Sequence, residues 1–173
     1  CNHTMGPDYV VLGFISPRMI HFLAKSEIFD QHEVLCKIMS NIGGIPIERG
    51  KRDKAAMKAA IDVVDRGSIL GMFPEGTRSR TGQLQAGKTG AVRIALAAKA
   101  PVVPVVVLNS EALIPGLLQW PKPTVTVRIG RPIRFDDAGT DSESVAEKTD
   151  VMMTAIAEML PPERRGVYAN RVA

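Results

Sequence analysis

His3 and Asp8 stand five residues apart, with Gly6-Pro7 between them. On a continuous helix that spacing turns the chain by about 140°, so the two side chains would face different ways. With His3 in an entering loop and Asp8 in the first turn after Gly6-Pro7, they can meet. Pro7 suits the first helical position, where its missing N–H costs nothing. A carboxylate on one imidazole nitrogen fixes the tautomer and leaves the other nitrogen to accept a proton, which is general-base chemistry. A plainer arrangement also fits. Asp8 is then an acidic residue favoured by the dipole at a helix start, and His3 a polar surface group.

The segment Phe73-Pro74-Glu75-Gly76-Thr77-Arg78-Ser79-Arg80 comes directly after a predicted strand. Loops at strand ends of open α/β sheets are common ligand sites. Gly76 permits close backbone approach, Thr77 offers a hydroxyl, and Arg78 and Arg80 can grip a phosphate bidentately. A solvated surface loop would use the same residue types. Residues 44–49 read as a short strand with Arg49 at its exit. Residues 82–89 fit G-x-x-x-x-G-K-[ST], the phosphate loop of nucleotide hydrolases. That motif needs a buried strand before its first glycine, and Thr77-Arg78-Ser79-Arg80-Thr81 is no such strand. Asn109, not an acidic residue, stands at the end of the apolar run that would hold the magnesium ligand. The match is read as a glycine-rich turn before a helix.

The elements that must hold these residues alternate. Helices are predicted after Gly6-Pro7, at residues 31–40, at 51–66 and at 88–99, the last buried on nearly all sides. A final helix is expected after a capping box at Thr140-Asp141-Ser142-Glu143. In the helix at 51–66, Met57, Ala60, Ile61 and Val64 share one face, and Gly67 supplies the stop. Strands are predicted at 19–24, 44–49, 68–73 and 124–129, and the β-branched run at 102–108 reads as a central parallel strand. The expected architecture is a single α/β domain over residues 1–173, its mostly parallel or mixed sheet covered by helices. Residues 113–120 are unusually apolar for a connection containing Pro and Gly. They suit either a membrane surface, with Lys122 at the headgroups, or the core.

A chain of 173 residues, 45% apolar and 23% charged, can build a core without disulfides or metals. Cys1 and Cys36 form no metal or redox motif, and cytosolic chemistry is the default compartment. The longest apolar run is about half of what spans a bilayer. The chain opens on Cys1, and truncation is preferred to a mature lipoprotein, so an N-terminal strand or anchor is expected to be missing. Between residues 49 and 93 there are 10 basic and 4 acidic residues, which should attract an anion there. With 5% aromatic residues and no nucleic-acid motif, a phosphorylated small molecule or an anionic membrane fits better than nucleic acid.

Together these blocks resemble the glycerolipid acyltransferase family, the 1-acylglycerol-3-phosphate acyltransferases and their relatives. Asn2-His3 through Asp8 matches the H-x4-D motif, and Phe73 through Arg80 the F-P-E-G-T-R-S motif. The weaker blocks are Gly44 through Arg49 and Val103-Pro104-Val105. The resemblance spans roughly residues 1–108. It implies transfer of an acyl group from acyl-CoA or acyl carrier protein to a hydroxyl of lysophosphatidic acid or a related glycerol phosphate, in phospholipid synthesis. In that reading His3 and Asp8 are catalytic, by direct attack without an acyl-enzyme. The acceptor phosphate is held by Arg49 and Arg78, with Arg80 and Lys88 as further candidates. Glu75, Gly76 and Thr77 belong to the same phosphate-binding turn, with backbone amides near Gly76 facing the oxyanion and Glu75 bracing the arginines or the turn. No cofactor or metal is expected, and the enzyme would work at the cytoplasmic membrane surface. The competing readings are a non-catalytic lipid- or anion-binding domain and, behind it, a nucleotide-binding protein.

Overall fold

The computed structural model describes residues 1–25, 43–47, 54–118, 120–135 and 139–172. The helix expected at 31–40 lies outside these residues, as do Glu48 and Arg49. The chain divides into two compact units, Leu12–Met72 and Cys1–Val11 with Phe73–Ala173. Helix α1 (Asp8–Ile15) begins in one and ends in the other. Among the described residues, no helix is long and apolar enough to cross a membrane.

In the Leu12–Met72 unit, strands β1 (Ile20–Lys25), β2 (Gly44–Ile47) and β3 (Ile69–Gly71) form a sheet in the order β2-β1-β3. Both pairings are parallel. Helix α2 (Lys54–Asp65) packs against all three strands. It stops at Gly67, whose φ of +74° suits a residue without a Cβ, and the Gly67 and Ser68 N–H groups close on Val64 and Val63. Strand β3 is shorter than the expected 68–73 and only half-buried. At Gly71 a Cβ would strike the Phe22 ring of β1 at 2.3 Å, so the close packing of the ring there needs a glycine.

The other unit holds strands β4 (Val105–Leu108) and β5 (Thr126–Ile129) with helices α3 (Gly90–Ala97) and α4 (Ser142–Glu158). Strand β4 pairs with β5 antiparallel, not parallel as expected, and Val102 bridges Ile133 in the same sense. A run of β-branched residues reports burial, which Val106, Val107 and Leu108 have; it does not report direction. The core gathers Val92, Val106, Val145, Met152, Met153 and Ile156 around Tyr168. Helix α3 is shorter than expected and exposes Arg93 and Ala97. The cap of α4 is Asp141, one residue beyond the expected Thr140. Its carboxylate accepts the Glu143 and Ser144 N–H groups, both at 3.0 Å, which engages two of the helix's orphan donors at once.

Candidate active site

His3 and Asp8 meet as expected. His3 precedes α1 in a loop, Asp8 opens the helix, and the Pro7 carbonyl accepts the first helical bonds from Val10 and Val11. Pro7 therefore sits just before the first helical position. The Nδ1 of His3 lies 3.1 Å from Oδ2 of Asp8. The imidazole stacks on the Phe73 ring, centroids 4.0 Å apart and planes at 16°. Among the described residues, Nε2 has no protein partner, so the nitrogen opposite the carboxylate is the one left for a substrate proton.

Asp8 is fully buried. A buried carboxylate is costly unless its lone pairs are filled, and here they are. Oδ2 accepts the Thr4 N–H at 2.7 Å, and Oδ1 accepts the hydroxyls of Thr4, at 2.8 Å, and Ser110. Burial pushes the Asp8 carboxyl up, but the bonds from His3, Ser110 and Thr4 together outweigh it and hold it below the usual carboxylate value. A depressed folded pKa contributes stability that is present above the unfolded value and lost as pH falls through the folded one. Melting temperature measured from pH 7 down to pH 3 should therefore fall more steeply for the wild type than for Asp8→Asn at the acid end. Parallel curves would show that Asp8 is not held ionised by this shell.

Two further contacts fix the loop. The Asn2 side-chain amide donates to the Val107 carbonyl at 3.0 Å and accepts the Val107 N–H at 2.8 Å, so it binds β4 as a peptide group would. Gly6 meets the turn Ser110–Ala112 so closely that a Cβ would lie 2.3 Å from the Ser110 carbonyl carbon.

Of the two parts expected of Glu75, bracing the arginines or bracing the turn, its hydrogen bonds serve the turn. It touches no arginine among the described residues. Its Oε1 accepts the backbone N–H of His3 at 2.6 Å, and Oε2 accepts the Gln85 N–H at 2.9 Å. Ser79 closes a second backbone link by donating its N–H to the His3 carbonyl at 2.8 Å. Burial pushes the Glu75 carboxyl above its ordinary value, with the Gln85 and His3 N–H groups partly offsetting it. Glu75 thus ties the FPEGTRS turn to the histidine loop, which is why the two blocks fall together.

The cations lie in the open. Thr77, Arg78, Arg80 and Lys88 are exposed, and none of the three cations has an ion-pair partner among the described residues. Gly76 turns the chain at φ +72°, and its N–H is engaged by the Phe73 carbonyl. That removes it as an oxyanion donor. The Lys88 side chain lies over Gly76, where a Cβ would stand 2.7 Å from Nζ. The G-x-x-x-x-G-K-[ST] match does not form a phosphate loop. Its N–H groups at Leu84, Gln85, Gly87 and Lys88 bond to Arg164, Glu75, Tyr168 and Pro74.

Sequence reasoning does not single out Asn2, Thr4, Ser110, Phe73 or Gln85 for these roles. Asn2 and Thr4 flank His3, and a search for donors around a buried carboxylate would raise them. Ser110 lies 102 residues from Asp8, and nothing local marks it.

The sequence profile of the acyltransferase family matches residues 1–108. The 1-acyl-sn-glycerol-3-phosphate acyltransferase of Bacillus subtilis is 31% identical over 92% of this chain and 78% of its own length. That of Saccharomyces cerevisiae is 32% identical over 91% of this chain and 54% of its own. The crystal structure of the 1-acyl-sn-glycerophosphate (LPA) acyltransferase from Thermotoga maritima superimposes with a TM-score of 0.62, at 26% identity. That alignment covers 87% of this chain and 60% of the Thermotoga chain. The chain therefore spans between about half and three quarters of the length of these three relatives. Both diagnostic motif blocks fall inside the matched segment, their side chains interlock, and the chain belongs to the acyltransferase family.

Proposed function

We infer that the protein moves a fatty acyl group from an acyl thioester to the free hydroxyl of 1-acylglycerol 3-phosphate or a closely related glycerol phosphate. The observation that carries this reading is the His3–Asp8 pair, with Nε2 open and a turn of unpaired cations joined to its backbone. His3 Nε2 takes the hydroxyl proton as the oxygen attacks the thioester carbonyl. Asp8 holds the tautomer and stabilises the imidazolium. The tetrahedral intermediate collapses, the C–S bond breaks, and the thiolate leaves with the proton that His3 returns. Donors for the oxyanion come from the turn's remaining N–H groups, at Thr77 and Arg78. Acyl-CoA or acyl carrier protein brings the activated carbonyl, so the reaction draws on no further cofactor.

Arg78, Arg80 and Lys88 hold the acceptor phosphate. The apolar acyl chain belongs to a membrane, and the connection after β4 suits one. Ile114, Leu118 and Trp120 are exposed at 65%, 99% and 89%, a cost in water that a lipid surface on the cytoplasmic side would relieve.

Truncating Arg78 to Ala removes charge-assisted bonds worth about 1.5 kcal/mol at an exposed site, about tenfold in acceptor KM. Arg78→Lys should recover only part, because lysine lacks the bidentate fork. Steady-state rates with monoacylglycerol phosphate and with monoacylglycerol check this. The loss should be confined to the phosphorylated acceptor, and equal losses for both would remove the phosphate site.

A further inference from the structure

The family profile ends at residue 108, yet the segment 82–88 is held from the far C-terminus. Three features converge there. The Leu84 N–H donates to the Arg164 carbonyl at 2.9 Å, and the Val167 N–H returns to the Leu84 carbonyl. Gly166, at φ +53°, presses so close that a Cβ would lie 2.0 Å from the Leu84 oxygen. The Gly87 N–H donates to the hydroxyl of Tyr168 at 3.0 Å.

Tyr168 is 3% exposed and packs in the main core, while Arg171 sits 5.6 Å over its ring and is paired with Asp150. Its hydroxyl is thus a fixed point. Gly87 has no room to drift inward either, since a Cβ there would meet the Met153 side chain of α4 at 2.5 Å. The next residue is Lys88, whose N–H is tied to the Pro74 carbonyl at 2.7 Å and whose side chain lies over Gly76.

We propose that Tyr168 is a positioning residue of the acyl-transfer site: through Gly87 it sets the backbone from which Lys88 reaches the acceptor phosphate over Gly76. The proposal rests on the phosphate reading of Lys88. A lysine side chain has four rotatable bonds, so its head is placed only as well as its backbone is fixed. A hydroxyl anchored in the core fixes it in a way that a solvent-exposed loop cannot.

The test is a double-mutant cycle on the full chain with monoacylglycerol phosphate as the varied acceptor. Tyr168→Phe keeps the ring in the core and deletes one hydrogen bond. It should raise acceptor KM by about two- to tenfold, with kcat and the donor KM within error of wild type. Amide hydrogen exchange at Gly87 should speed up. Lys88→Ala should raise acceptor KM by about tenfold, and adding Tyr168→Phe to it should change nothing more, because the tyrosine acts through the lysine. An unchanged acceptor KM in Tyr168→Phe beside a raised one in Lys88→Ala overturns the proposal and leaves the phosphate reading standing. So does a double variant whose effects multiply, or unchanged exchange at Gly87. An unchanged acceptor KM in Lys88→Ala overturns both.

Discussion

His3→Ala should abolish measurable acyl transfer. The imidazole is the general base of the proposed reaction, and such groups contribute about 10²- to 10⁴-fold. The fold should survive, because the bonds that hold the loop are made by the backbone of His3 and not by its ring. Its N–H reaches Glu75 and its carbonyl accepts from Ser79, and both contacts remain in alanine. Asp8 loses one donor of four. Free thiol released from acyl-CoA reads the rate, and turnover close to wild type would rule out His3 as the base. Asp8→Asn belongs in the same experiment. The hydroxyls of Thr4 and Ser110 can rotate to accept from the new amide nitrogen, while its oxygen keeps the Thr4 N–H. Asparagine therefore fits the shell and removes the charge alone. The rate should fall strongly with acceptor binding nearly intact.

Gly6→Ala should be almost as damaging, although Gly6 touches no substrate. A Cβ there would stand 2.3 Å from both the carbonyl carbon and the Oγ of Ser110, and 2.4 Å from the Glu111 nitrogen. Two of these three atoms are backbone, so no rotamer change relieves the overlap. The turn Ser110–Ala112 or the histidine loop must move, and either motion pulls Ser110 from Asp8. A displacement of about 1 Å in a positioned site costs on the order of 10²-fold in rate, and overpacking costs about 1–3 kcal/mol in stability. Rate and melting temperature measured together would show it. Unaltered kcat/KM in this variant would mean that the fit between the loop and the Ser110 turn does not matter to the reaction.

The meeting of His3 and Asp8 is legible in the sequence because Gly6-Pro7 leaves few ways to join a loop to a helix over five residues. The helices at 54–65 and 142–158 are legible too, since their apolar periodicity and their stop or cap signals agree. The antiparallel pairing of β4 is not. Strand direction depends on the path of the chain beyond Leu108, and the connection through residues 110–118 carries no repeat or turn signature that fixes it. For Glu75 the sequence leaves two parts open, bracing the arginines or bracing the turn. Proximity along the chain suggests the arginines, but burial decides the matter by turning the carboxylate toward backbone donors 72 and 10 residues away. Ser110 and Tyr168 act on the site at separations of 102 and 81 residues, and only the fold brings them there.

The Asn2 amide has a second consequence. Among the described residues β4 pairs with a strand on one side only, and without Asn2 the fully buried Val107 would hold an unpaired N–H and C=O on the other. Asn2 covers both groups with a single side chain that cannot propagate a ladder. The residue next to the base therefore also satisfies a buried strand, and a change at this position would leave two backbone groups without partners and penalise stability along with turnover.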